Sequence, residues 1–228
     1  MGFKPNENRA NYQEPIRIAG AQVGPRLIGA SETLPWFSTE EPRELISVLS
    51  VFEYLTTNLA GTNNDLTFFA RLSGDQNITI TFVDPGGATS SLSVEVVDTD
   101  ITVTLARAAS AIISKASEVK AAIEASPEAS ALVSVILAAG NDGTGVVTAM
   151  TSTPLAGPAG TLPTLDVEFE ASIDGVEPYS IGATFTQNTA VGIEAGYFDR
   201  LGISGRYKLT LGGTNPEFAI GIVTVFKP

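Results

Sequence analysis

Between residues 66 and 105 apolar and polar side chains change places at nearly every step, and clusters of turn-forming residues interrupt the pattern. Leu66, Phe68, Ala70 and Leu72 alternate with Thr67, Phe69 and Arg71; Ile78, Ile80 and Phe82 alternate with Thr79, Thr81 and Val83. A period of two puts one set of side chains on one face of an extended strand. Ser73 to Asn77, Asp84-Pro85-Gly86-Gly87 and Asp98-Thr99-Asp100 supply turns, because Pro sets φ and Gly accepts positive φ. With Leu92, Val94 and Val96, then Ile101, Val103 and Leu105, four strands follow one another. They read as an antiparallel meander.

The pattern then changes period. Ile112, Ala116, Val119 and Ile123 recur at helical spacing, with Lys120 and Glu124 as an i,i+4 pair. Ser126-Pro127-Glu128 is an N-cap, a first-turn proline and an acid at the positive end of the helix dipole. Leu132, Val133, Ile136 and Leu137 make the second helix's apolar face, Gly140 ends it, and Val146 to Met150 reads as a closing strand. Residues 63–162 therefore form a ββββ-αα-β module plus a Pro/Gly/Thr-rich linker from Thr151 to Pro163. On either side, residues 36–62 and 163–228 read as one antiparallel β domain, a small sandwich or barrel. Within it, Val167 to Ala171 and Ser180 to Thr186 alternate. Arg206 to Leu211 leads into a hairpin turn at Gly212-Gly213-Thr214-Asn215-Pro216, with a return strand from Phe218 to Phe226. Its first segment is expected to be a helix. Ser38 and Glu41 have capping-box spacing, Pro42 fits the first turn, and Leu45, Leu49 and Phe52 share a face, although Ile46 to Phe52 is rich in β-branched residues. The fold class expected is α+β, mostly β, with the module inserted into or appended to the β domain.

Residues 1–35 differ from the rest. Their net charge is +1 in a chain of net charge −12, and Pro5, Pro15, Pro25 and Pro35 punctuate them with Gly20, Gly24 and Gly29. No sustained period is visible, so the segment reads as an extended N-terminal arm. Phe3, Tyr12, Ile16, Ile18, Val23, Leu27, Ile28 and Trp36 give it more large apolar groups than a plain linker carries. Phe3, Arg9, Tyr12, Arg17, Arg26 and Trp36 are the expected partner-binding residues. Trp36, the one tryptophan, suits a partner's pocket or the chain's own core equally.

Function classes fall away by residue type. Neither Cys nor His occurs among the 228 residues, which removes thiolate nucleophiles, imidazole or thiolate metal sites and His-dependent triads. Asp98 with Asp100, or Asp166, Glu168 and Glu170, share strand faces as acids do on a solvated surface. Asn141-Asp142-Gly143-Thr144-Gly145 lacks both EF-hand and phosphate-loop spacing. No catalysis and no cofactor are expected. A net charge of −12 argues against nucleic acid as a partner, and no apolar run is long enough to cross a bilayer. The first residues carry no apolar h-region, so the chain is expected to act after synthesis in a cytoplasm.

One resemblance adds to this. Asn64-Asp65-Leu66-Thr67-Phe68, then Gly74 to Asn77 leading into Ile78-Thr79-Ile80-Thr81-Phe82-Val83-Asp84-Pro85, resembles a module that recurs in tailed-bacteriophage structural proteins. Ser117 to Ile123 is similar to its helix, and Ala138 to Val147 to its last loop, with a shorter first hairpin turn. The resemblance implies a non-enzymatic virion protein, assembled in the host cytoplasm and acting as a homo-oligomer. In that role a capsid decoration or cement protein would bind the major capsid protein, or other virion proteins, through its arm. The alternatives are a tail, baseplate or fibre component, and a carbohydrate-binding or adhesin module.

Overall fold

A single long strand organises half of the molecule. The structure is a computed structural model that describes residues 17–38, 44–174, 176–199 and 204–227. Within it, β17 (Ser204–Lys227) runs the length of a β body, and strands flank it on both sides. Along one side lie β1 (Arg17–Ile28), β2 (Glu32–Thr33) and β3 (Phe37–Ser38), all antiparallel to it. Along the other, β14 (Ala159–Ser172) pairs with its first half and β4 (Glu44–Phe52) with its second. β15 (Tyr179–Thr184) extends from β14 and β16 (Gly192–Asp199) from β4. The inward side chains meet in one core of Leu49, Val51, Val167, Phe169, Phe198, Tyr207, Phe218 and Ile220. Phe169 stacks on Phe198 at 4.7 Å and meets Tyr207 edge-on at 5.2 Å.

The chain leaves this body after β4 and returns at β14. Between them lies a module with its own core. Its first sheet has β6 (Leu66–Ala70) between β5 (Tyr54–Thr56) and β12 (Val133–Leu137). Its second has the order β13 (Met150–Pro154), β7 (Thr79–Val83), β9 (Asp100–Thr104), β8 (Ser93–Val97). A two-stranded ribbon, β10 (Arg107–Ala108) with β11 (Ala111–Ile112), precedes helices α1 (Ala116–Ala125) and α2 (Pro127–Leu132). Ala116, Val119 and Ile123 bury one face of α1 as expected, and Ser126 caps α2 by accepting the Ala129 N–H at 3.2 Å. Ile112, however, belongs to β11 rather than to the helix. The fold is α+β and mostly β. Phe52, Tyr54, Phe69 and Ala219 pack together where body and module meet.

Several expectations are corrected. The helix expected from residue 38 onward is β4 across residues 44–52. Ser47, Leu49 and Val51 are buried while Ile46, Val48 and Ser50 are half-buried, a period of two that suits this β-branched run. Thr39 to Arg43, including most of the expected capping box, lie outside the described residues. Residues 54–56, expected with the β domain, pair with β6 in the module. The second helix stops at Leu132, and Val133 to Leu137 form a strand with Val133 and Val135 buried. No simple meander forms. β6 joins a different sheet from β7, and β7 pairs with β9 in parallel. The nine residues from Asp84 to Leu92 let β8, whose Ser93, Glu95 and Val97 are exposed, take the sheet edge and leave the buried Ile101 and Val103 central. The closing strand is β13, four residues later than expected, and the expected linker is β13 and the start of β14.

The two remaining corrections concern Gly and Pro. Residues 17–28, expected as part of a free arm, are β1. Its register shifts between Ile18 and Gln22 and between Val23 and Arg26, the intervals that hold Gly20, Gly24 and Pro25. An edge strand tolerates such residues at bulges. Likewise Gly212 to Pro216 make no hairpin turn. Gly213 (φ +100°) and Asn215 (φ +49°) face Gly160 (φ +109°) and Leu162 (φ +50°) in a double irregularity, beyond which β17 departs from β14 and pairs with β4.

Candidate interaction surface

The outward side chains of the body fall into two patches of opposite character, and β17 contributes to both. Asp166, Glu168 and Glu170 on β14 stand opposite Thr210, Lys208 and Arg206. Arg206 Nε donates to Glu170 Oε2 at 2.7 Å, Lys208 Nζ lies 3.7 Å from Glu168, and Gln187 Nε2 donates to both Asp166 oxygens at 3.0 and 3.2 Å. Each acid of this series therefore has a partner from its own chain. The arrangement is a cross-strand charge ladder.

The second patch is apolar over its central rows and bounded by charged positions, where Glu44 pairs with Asp199 and Lys227. The outward positions of β4 are Ile46, Val48 and Ser50, those of β16 are Ile193, Ala195 and Tyr197, and those of the second half of β17 are Gly221, Val223 and Val225. Pairing sets Ala195, Val48 and Val223 in one row and Tyr197, Ile46 and Val225 in the next. Ile193 is 68% exposed, Tyr197 74% and Val223 42%. A contiguous apolar sheet face of this kind marks a contact surface more often than scattered exposed residues do. Such a face can bury area against a partner.

Of the expected partner-binding residues, Phe3, Arg9 and Tyr12 lie outside the described residues. Arg17 is the first residue of β1, opposite Phe226. Arg26 is ion-paired with Glu32. Trp36 is half-buried on its own chain with the Arg206 guanidinium 4.3 Å from its ring centroid, so the Arg206–Glu170 pair is also its neighbour. Trp36 therefore lies against the Arg206–Glu170 ladder and not among Ile193, Tyr197 and Val223. The alternation Ile193, Ala195, Tyr197 was the available sign of the apolar face.

Polar groups of the body and of the module find partners within the chain. Tyr207 Oη hydrogen bonds to Thr224 Oγ1 at 2.8 Å and to Ser47 Oγ, and burial pushes its phenol up to about 12. Asn141 Oδ1 accepts the Asp65 N–H at 3.1 Å, and Asp142 accepts from the N–H and hydroxyl of Thr144, which hold its carboxyl below the usual range. In the 141–145 loop, Asn141 Oδ1 and Asp142 Oδ1 thus accept from within the chain. Asp100 likewise accepts from the Thr79 hydroxyl at 2.7 Å. Among the described residues no three carboxylates gather closely enough to hold a metal ion, and no helix is long and apolar enough to cross a membrane.

Comparisons with protein-family models, with curated proteins and with solved structures found no match.

Proposed function

We propose that the chain is a non-enzymatic structural protein of a tailed-phage virion, a capsid decoration or cement protein that docks on the major capsid protein. The resemblance in residues 64–85, 117–123 and 138–147 supports the class. The observation that carries the docking role is the apolar rows of Ile46, Val48, Ile193, Tyr197, Val223 and Val225 on the outer face of β4, β16 and β17. β1 is the edge strand of the same sheet, and Ile18 pairs with Val225 of that face. The segment 1–16, with Phe3, Tyr12 and Ile16, directly precedes β1 in the sequence. Repeated copies on a particle add avidity, so a modest contact per copy suffices.

The test is co-sedimentation with empty shells. A protein beginning at Arg17 keeps β1, whereas one beginning at residue 36 loses β1 and β2 from β17, and with them the buried Ile28 of the body core. Loss of binding in both the Arg17 form and the double variant Ile193→Asp/Tyr197→Asp, with unchanged melting, is the expected result. Undiminished binding by both overturns the reading. Tyr197, an aromatic ring 74% exposed, favours a second reading as a carbohydrate-binding surface. Glycan-array binding lost in Tyr197→Ala would establish that alternative.

A further inference from the structure

β16 ends its sheet. It pairs with β4 over its whole length without a register shift, and among the described residues no other strand bonds to its far side. The chain that precedes it does not cover that side. Phe185 and Asn188 bond through their backbones to Val167 and Leu165, which keeps residues 185–188 on β14 rather than along β16. Glu194 turns its carboxylate to this same segment, accepting the Thr186 N–H at 2.9 Å and the Thr186 hydroxyl at 2.7 Å. Its charge is engaged within the chain instead of guarding the edge.

An open edge is a template for another strand, and proteins blunt it with bulges, proline, short length or charge. The other edges of the body are blunted in these ways. β1 carries two register shifts, at Gly20 and at Gly24-Pro25; β15 pairs with β14 across a register shift; β2 and β3 are two residues each. In the module, β8 pairs with β9 without a shift, but the exposed Glu95 at its centre would meet Glu95 of an antiparallel copy. β16 differs. It has no bulge and no proline, and its outward residues are Ile193, Ala195 and Tyr197.

We propose that two copies of the chain join edge to edge through β16, antiparallel about a two-fold axis at Ala195. Opposed residues of an antiparallel pair share a face, so a strand that pairs with its own copy must be centred on a residue. Centring on Ala195 sets Ile193 opposite Tyr197 of the second copy, and Tyr197 opposite its Ile193, an aliphatic–aromatic pair on each side of the axis. It also sets Glu194 opposite Gly196, which has no side chain to meet it. Centring on Glu194 would face two carboxylates, and centring on Gly196 would set Ile193 opposite Asp199. Registers centred farther out pair fewer residues. The contact is isologous and closes at two copies. It does not depend on the capsid reading, and the joined sheet carries the apolar rows of both copies on one face.

The test is light scattering on gel filtration of the isolated full chain, in salt that screens the net charge of −12 on each copy. Twice the chain mass is expected. Ala195→Lys, at an exposed position, sets two ammonium groups against each other on the axis and should give the monomer mass. Mixing it with Ala195→Glu should restore the dimer, an outcome that misfolding cannot imitate. The chain has no cysteine, so single thiols report the register. Ala195→Cys should cross-link into dimers with oxidised glutathione, because opposed residues lie about 4.5–5.5 Å apart. Ile193→Cys should not, since its counterpart lies four residues along the strand, about 13 Å away. A monomer at every concentration overturns the proposal. So does a dimer that persists in Ala195→Lys, a mixture that stays monomeric, or cross-linking of Ile193→Cys that matches Ala195→Cys. No shells enter these measurements, so their failure is distinct from a failure of capsid docking.

Discussion

Tyr207 shows how one side chain can serve two sheets at once. Its ring lies against Phe169 and Phe37, while its hydroxyl reaches Ser47 on β4 and Thr224 on the far half of β17. Tyr207→Phe keeps the ring and removes the central hydroxyl. Ser47 and Thr224 still reach each other at 3.2 Å. The expected loss is therefore about 1–2 kcal/mol in denaturant unfolding, the range for a buried hydrogen bond left partly unmade. The pH dependence has a definite sign. A phenol raised to about 12 favours the neutral form in the folded state, so stability should fall as pH rises from the ordinary tyrosine value toward 12. Tyr207→Phe should remove that part of the alkaline loss.

At the scale of elements, turn-forming residues here act inside strands. Gly213 allows β17 to bend where it passes from β14 to β4. A Cβ there would stand 2.5 Å from the Leu162 carbonyl oxygen, and φ is +100°. Gly213→Ala should therefore destabilise by about 1–3 kcal/mol, through backbone strain rather than lost burial. Circular dichroism should show strand content retained while the unfolding midpoint drops. An unchanged midpoint would mean that β17 bends elsewhere. Gly160 meets the same constraint from the opposite strand, with a Cβ position 2.5 Å from the Asn215 carbonyl oxygen.

For the molecule as a whole, the division between the two cores lies at Glu53 rather than near residue 63. β5 supplies one edge of the sheet that buries all five residues of β6, and Leu59 and Leu155 close the module core. A fragment spanning 54–157 should unfold in one cooperative thermal transition. A fragment spanning 63–157, without β5 and Leu59, uncovers Phe69 and the hydrogen-bonding edge of β6. It should melt at a lower temperature, with a broader transition or none. Calorimetry of the two fragments separates these outcomes. Equal melting would show that β5 belongs energetically to the body.

Much of the architecture was legible from local pattern. The β7, β8 and β9 alternation, the buried face of α1, the Ser126 cap and the mostly β class need only periodicity and capping chemistry, which act between near neighbours in the chain. Long-range partners settled what local pattern left open. Val133 to Leu137 fit a helical face or a strand equally, until β6 offered five paired positions. Helix-start chemistry at Ser38, Glu41 and Pro42 preceded residues 44–52, but β16 and β17 supplied hydrogen bonds on both sides. β1 hid behind Gly20, Gly24 and Pro25 because bulges absorb such residues once an adjacent strand exists. The apolar contact face emerged the same way. Ile193, Tyr197, Val48 and Val223 lie in three separate stretches of the chain, and strand pairing alone makes them one surface.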